Sequence, residues 1–233
     1  MIHLPSLKYK TMPRPNRPLF EQTYIVPNEE EYRDFWKDIY VFMRGIEFKS
    51  PVMRKIKKLI DTDSGFFGFR VHPVTQEPKY FHAGISLELD RDDAIFPMHP
   101  GVLEYSGYGA VNGYYVLLSH PNIVTEDGYV FHTMYCHLKK PLVKFNSYQK
   151  MLREISLGSH PIVPVDIDVC LGHASTSGVA REQYPGLYFE CSFRKFDEIP
   201  IVIDPLQLYY VRSVSNKTAE IIHPKKIKKT KKR

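Results

Sequence analysis

The spacing of hydrophobic residues changes once along the chain, near residue 65. Before that point, apolar side chains recur at steps of three and four, which is the period of a helix packed on one side. They are Tyr32, Phe35, Trp36, Ile39, Phe42 and Met43, then Val52, Ile56, Leu59 and Ile60. Residues 28–31, Asn-Glu-Glu-Glu, are typical of a helix start because acids favour the first turn. We therefore predict two helices within residues 28–62, with the aromatic stripe packed against a sheet.

Beyond residue 65 the apolar period becomes two, and the segments are short, aromatic or β-branched, with Gly, Pro and Asn between them. The predicted strands are residues 67–71, 81–88, 94–98, 101–107, 114–119, 129–137, 162–163, 169–172, 187–194 and 201–203. Residues 146–157 break this pattern with a helical spacing and are predicted to be an insertion. The pattern predicts a mainly β fold with an N-terminal helical extension.

The length of 233 residues suits one sizeable core with extensions rather than two ordinary domains. Residues 1–27 are rich in proline and basic groups and are expected to form an extended arm. The helical extension covers residues 28–64, the β domain residues 65–212, and a basic tail residues 213–233. We expect that tail to be disordered.

The positive charge of the chain is concentrated at one end. The net charge is +6, and the last nine residues, KKIKKTKKR, carry seven positive charges, which leaves 6 − 7 = −1 for the rest. The tail is therefore expected to be solvated or to contact anionic surfaces, and we expect no specific nucleic-acid recognition by the folded part. No apolar run reaches the length of about 18 residues needed for a transmembrane segment, and no secretory signal is visible.

Ten histidines raise the question of a metal site. Zinc hydrolases use three protein ligands and leave one position open for water. On a strand, ligands must recur at even steps to share a face. Positions 82 and 86 meet that rule, as do 186 and 188, but the residues there are His82, Ser86, Gly186 and Tyr188. The three cysteines show no Cys-x-x-Cys spacing, so a thiolate site has little support.

Several short motifs, taken in order, resemble the lysostaphin/LytM family of zinc-dependent peptidoglycan endopeptidases. They are GFRVHP at 68–73, FHAGI at 81–85, YCHL at 135–138, LGHASTSG at 171–178, LYFE at 187–190 and IDPL at 203–206. The resemblance covers about residues 65–210. It implies a LytM-like antiparallel β-sheet of the duplicated hybrid motif type, and it implies an exported protein of the periplasm or cell envelope.

In that family the metal is held by a His, an Asp four residues later and the second His of a His-x-His pair. The resemblance makes His82 the first ligand, puts Ser86 at the Asp position and Tyr188 at the second His position, and puts Gly186 at the first His of the pair. His137 matches the histidine of the Tyr-x-His-Leu element. One ligand position in three is kept, so we expect no zinc cofactor and no catalysis. Arg70 and Glu190 complete the set of residues expected to line the relict groove.

The favoured hypothesis is a noncatalytic, pseudo-enzyme module of the bacterial cell envelope. It would bind peptidoglycan or its stem peptides, or would regulate or scaffold a wall hydrolase or a morphogenesis partner. One alternative is an active metallo-endopeptidase whose site is rewired to His82, His137 and Glu190. A second alternative is a structural scaffold that makes its contacts through the arm, the helices and the tail.

Overall fold

The computed structural model describes residues 39, 41–43, 45–53, 65–71, 76, 80–146, 162–178, 185–195 and 200–208. The predicted arm (1–27), the tail (213–233) and all but the first residue of the predicted insertion (146–157) lie outside the described residues. Much of the predicted helical extension lies outside them too. The described part of this extension contains helical residues at 39 and 41–43. A separate helical turn near the end of the β domain covers residues 205–208.

Strands dominate the described part of the chain, and every pairing between them is antiparallel. In chain order they are β1 (Gly68–Arg70), β2 (Tyr80–His82), β3 (Gly84–Glu88), β4 (Ala94–Ile95), β5 (Gly101–Gly109), β6 (Gly113–Val124), β7 (Val130–Leu138), β8 (Pro164–Val165), β9 (Gly172–His173), β10 (Gly186–Arg194) and β11 (Ile201–Ile203). The prediction of a mainly β, antiparallel fold is confirmed. No helix in this part of the chain is long and apolar enough to cross a membrane.

Strand β10 pairs with three strands of the seven-stranded main sheet, whose order is β11-β10-β7-β6-β5-β8 with β3 also paired to β10. One edge of β10 pairs with β7. The other edge is shared, because residues 186–190 pair with β3 and residues 191–193 pair with β11. Two small ribbons, β1-β2 and β4-β9, accompany the main sheet.

The hydrophobic core lies on the sheet face that carries Phe193 and Phe131, both fully buried. The N-terminal extension packs on this face: the Phe42 ring lies 6.3 Å from that of Phe193, and the Phe48 ring lies 5.7 Å from that of Phe131. The predicted packing of the aromatic stripe against the sheet is thus confirmed for Phe42, while Tyr32, Phe35 and Trp36 lie outside the described residues. Side chains alternate across a strand, so Tyr188 points to the opposite face, which we call the cleft face.

The predicted strand 81–88 is wrong as one continuous element. It is divided at Ala83, because β2 pairs with β1 in the small ribbon, whereas β3 pairs with β10 in the main sheet. His82 and Ser86 therefore do not share the face of a single strand. The alternation of apolar residues continues through Ala83, so the sequence pattern could not reveal the change of partner.

Candidate ligand-binding cleft

Positions 86 and 188 lie side by side on the cleft face. Tyr188 of β10 is the direct cross-strand partner of Ser86 on β3 and, across its other edge, of Cys136 on β7. Antiparallel partners have their Cβ atoms about 5 Å apart, close enough for both side chains to reach one ligand. The fold thus brings together the two positions that the resemblance pairs as metal ligands, with a hydroxyl and a phenol in place of a carboxylate and an imidazole.

The ring of Tyr188 lies close to both histidines of the cleft. Its centroid lies 5.2 Å from that of His82 and 6.4 Å from that of His137. The ring also passes over Gly84, since a Cβ at that position would lie 3.0 Å from its Cε2 atom. The missing side chain at Gly84 therefore gives the tyrosine ring its room.

The hydroxyl of Tyr188 is fixed by a buried carboxylate. It donates to Glu190 Oε2 at 3.0 Å, and Glu190 is only 1% exposed. The other oxygen, Oε1, accepts from Arg194 Nη2 at 3.4 Å, while Arg194 Nε donates to Ser192 Oγ at 3.0 Å. A buried carboxylate is stable only when hydrogen bonds and an opposite charge compensate its lost hydration. Tyr188, Glu190 and Arg194 thus form one polar chain along alternate positions of β10.

Each histidine of the cleft is oriented by a backbone carbonyl. His82 Nδ1 lies 2.7 Å from the carbonyl oxygen of Phe66, and His137 Nδ1 lies 2.8 Å from that of Ser177. A carbonyl oxygen can only accept, so Nδ1 is the protonated nitrogen in both rings. In the neutral form of each imidazole, Nε2 is then the acceptor nitrogen.

His137 has an unusual backbone conformation, with φ of 64°. That region is costly for a residue with a side chain and is maintained only where the surroundings enforce it. Here the His137 N–H donates to the Asn112 carbonyl, its own carbonyl accepts from Ser175 Oγ, and its ring donates to Ser177. The loop of residues 175–177, Ser-Thr-Ser, therefore determines the orientation of this imidazole.

The remaining predicted site residues flank this group. Gly186 is buried, faces Glu88 on β3, and donates its N–H to the carbonyl of Ser175 at 3.2 Å. Arg70 is half-buried on β1, two positions beyond Gly68, the residue opposite His82. The structure thus gathers His82, Ser86, His137 and Glu190 around Tyr188, with Gly186 and Arg70 at the margin.

The described residues contain no group of three or more His, Cys, Asp or Glu side chains placed to hold a metal ion. The rewired set of His82, His137 and Glu190 is accordingly not assembled as a ligand group in this part of the chain. Glu190 shares the face of Gly186 and Tyr188, as the alternation of β10 predicted, but its oxygens bind Tyr188 and Arg194.

Sequence reasoning missed three contributors to the cleft: Gly84, Ser177 and Arg194. Arg194 could have been recognised, since it follows Glu190 at an even step on the same strand and carries the opposite charge. Gly84 and Ser177 stand in the motifs FHAGI and LGHASTSG, but the motifs alone gave no sign of their contacts. The contacts of Gly84 and Ser177 depend on pairings with residues distant in the chain. Such pairings are not visible in a single sequence.

No protein-family model matches the chain, and no curated protein matches it. Among solved structures, it is similar to a zinc containing peptidase from Vibrio cholerae, at 23% identity over 67% of this chain with a TM-score of 0.47. This chain spans 39% of the length of that Vibrio cholerae chain, so the likeness concerns one part of a larger protein.

Two further matches cover nearly the whole length of the matched chain. One is a mutant catalytic domain of the prophage-encoded M23 protein EnpA from Enterococcus faecalis, at 15% identity over 67% of this chain and 96% of that one, with a TM-score of 0.44. The other is the catalytic domain of the antimicrobial peptidase lysostaphin from Staphylococcus simulans, at 17% identity over 64% and 89%, with a TM-score of 0.40. At these identities the likeness concerns the fold alone.

Proposed function

We propose that this protein is a noncatalytic module of the LytM type that acts in the periplasm or cell envelope of a bacterium. In this proposal it binds peptidoglycan or its stem peptides, or regulates or scaffolds a wall hydrolase or morphogenesis partner. The compartment and the partner class rest on the motif resemblance. The absence of catalysis rests on the cleft.

The observation that carries the proposal is the hydrogen bond from the Tyr188 hydroxyl to the buried Glu190 carboxylate. A phenol engaged as a donor is a poor metal ligand, because coordination requires the phenolate and the pKa of tyrosine is about 10. Ser86 adds only a neutral hydroxyl beside it. His82 is then the one imidazole left at the three family ligand positions, and one imidazole does not hold a catalytic zinc ion.

Two measurements on the full chain test the absence of catalysis. The first is the zinc content after zinc soaking and desalting, for the parent and for His82→Ala. The second is the clearing of purified sacculi in the presence of zinc. We expect no retained zinc in either protein and no clearing. One tightly bound ion that is lost on His82→Ala, together with sacculus cleavage, would show that the rewired peptidase is correct.

Binding is tested separately by co-sedimentation with purified sacculi, and by affinity measurement with candidate wall hydrolases and envelope proteins. We expect saturable binding to at least one of these classes, with insoluble cellulose as the control polymer for nonspecific pelleting. A chain that binds neither sacculi nor any of these proteins contradicts the proposal, whatever its zinc content.

A further inference from the structure

A pair of tyrosines forms an aromatic surface on the cleft face, away from Tyr188. The rings of Tyr105 on β5 and Tyr115 on β6 are stacked, with centroids 4.7 Å apart and an interplanar angle of 21°. Tyr105 is 37% exposed, so part of the stack contacts solvent. We call these two residues the tyrosine platform. Tyr115 lies near Cys136, the partner of Tyr188, so the platform continues the floor of the cleft.

Two glycines of β5 leave room for the tyrosine platform. Gly107 is the cross-strand partner of Tyr115, and a Cβ built on it would lie 2.5 Å from the Tyr105 hydroxyl oxygen. A Cβ on Gly109 would lie 3.4 Å from Cε1 of Tyr115. The two rings therefore lie close to backbone positions that carry no side chain.

The residue before Tyr105 on β5 supplies a hydrogen-bond acceptor. The register between β5 and β6 shifts between Leu103 and Tyr105, which leaves Glu104 as the extra residue of a β-bulge. Its Oε1 accepts from Ser119 Oγ at 2.6 Å. The hydroxyl of Tyr115 stays protonated at all physiological pH values, because burial and the Tyr105 hydroxyl raise its pKa to about 12.

We propose that the tyrosine platform binds a neutral saccharide chain, with a sugar ring stacked on Tyr105 and sugar hydroxyls donating to Glu104. The apolar faces of pyranose rings suit a flat aromatic surface, and their hydroxyls suit a carboxylate and phenols. The inference rests on the proposed function in one respect, because that function identifies the saccharide as the glycan strand of the cell wall. It assigns the platform to the glycan and leaves the stem peptide to the rest of the cleft.

Charge disfavours a nucleic acid, the other polymer that stacks on tyrosine. Proteins that bind single-stranded nucleic acids combine aromatic rings, on which the bases stack, with positively charged side chains along the phosphate backbone. Here the bordering group is the Glu104 carboxylate. A cation does lie within electrostatic reach of the Tyr115 hydroxyl, but it is Arg194, whose guanidinium donates to Glu190 and Ser192. A neutral polyhydroxylated ligand fits this arrangement without an uncompensated charge.

The test uses the full chain and a β-1,4-linked N-acetylglucosamine tetramer, with binding measured by isothermal titration calorimetry or chemical shifts. Tyr105→Ala removes the outer ring, and we expect it to weaken binding about tenfold. Gly107→Ala keeps both tyrosines but displaces the Tyr105 ring, and we expect a similar loss. Tyr108→Ala is the matched control, because Tyr108 is an exposed tyrosine on the opposite face of the same hairpin, and binding should be unchanged.

Three results overturn the inference. The first is that the tetramer does not bind at about 10 mM, well above a weak Kd of about 1 mM. The second is that Tyr105→Ala binds the tetramer as tightly as the parent does. The third is that a single-stranded oligonucleotide binds more tightly than the tetramer, in a salt-sensitive way, and that Tyr105→Ala abolishes this binding. None of them decides the proposed function. Binding of a stem peptide without any binding of the tetramer supports the proposed function while removing the glycan from the platform.

Discussion

Ser86 and Tyr188 face each other as direct cross-strand partners of β3 and β10. Because the resemblance places two zinc ligands at these positions, the double variant Ser86→Asp, Tyr188→His should regain a site together with His82. We expect about one zinc ion per chain in the double variant after desalting, as three ligands require. Inductively coupled plasma mass spectrometry measures this stoichiometry directly.

The two single variants are the controls for this restoration, since each supplies only two of the three ligands. Neither should retain zinc at stoichiometric level. If the double variant also binds none, then the cleft has lost the geometry of a metal site as well as its ligands, and His82 does not mark a former ligand position.

Tyr188→Phe removes the hydroxyl that donates to Glu190 and leaves the ring in place. The buried carboxylate then keeps Arg194 but loses one donor, which we expect to lower the free energy of unfolding by about 1–3 kcal/mol. Urea denaturation measures the change. Tyr114→Phe, at a more exposed tyrosine, should lie within about 0.5 kcal/mol of the parent. Equal effects in the two variants would show that the Tyr188 hydroxyl contributes nothing specific.

Gly84→Ala should disturb the pairing of β3 with β10. The added Cβ would collide with the carbonyl oxygen of Phe189 and approach the Tyr188 ring, and a backbone atom in a paired strand has little freedom to move. Crowding of this kind costs about 1–3 kcal/mol. Gly45→Ala is the matched control, because nothing lies within 4 Å of its added Cβ. Thermal unfolding should show a lower midpoint for Gly84→Ala alone.

Stability should fall in mild acid because of His120. Burial lowers its pKa from the ordinary 6.5 to about 4. Its Nδ1 donates to the Pro100 carbonyl, its Nε2 faces Thr133 Oγ1, and its titratable neighbours are His99 and His132. Between pH 6.5 and 4 the unfolded chain binds a proton that the folded chain does not, so folding weakens as pH falls through this window and levels off below it.

Urea denaturation at about pH 7.5 and about pH 5 checks this dependence, and the expected loss from His120 at the lower pH is on the order of 2 kcal/mol. His120→Asn should flatten the profile. His132→Gln should flatten it further, because burial lowers the pKa of His132 to about 4 as well. A variant profile as steep as that of the parent would exclude His120 as the cause.

The sequence predicted the fold class and most strands, because the alternation of apolar residues follows directly from a sheet with one buried face. It also placed Glu190 on the face of Tyr188 correctly. It did not predict the division at Ala83, since a change of pairing partner leaves the alternation intact. Nor did it predict the position of Tyr188 over Gly84, because that contact joins residues far apart in the chain.

The shared edge of β10 has a consequence for how the molecule folds. Ser86 and Tyr188 are 188 − 86 = 102 positions apart, so β3 cannot find its place until almost the whole β domain has been synthesised. Pairings of such long range are entropically slow to form, and they tend to close late on a folding pathway. We therefore expect the cleft to form in one of the last steps of folding. A partner that binds across the paired strands β3 and β10 would slow their separation. It would therefore slow unfolding and prolong the lifetime of the native state.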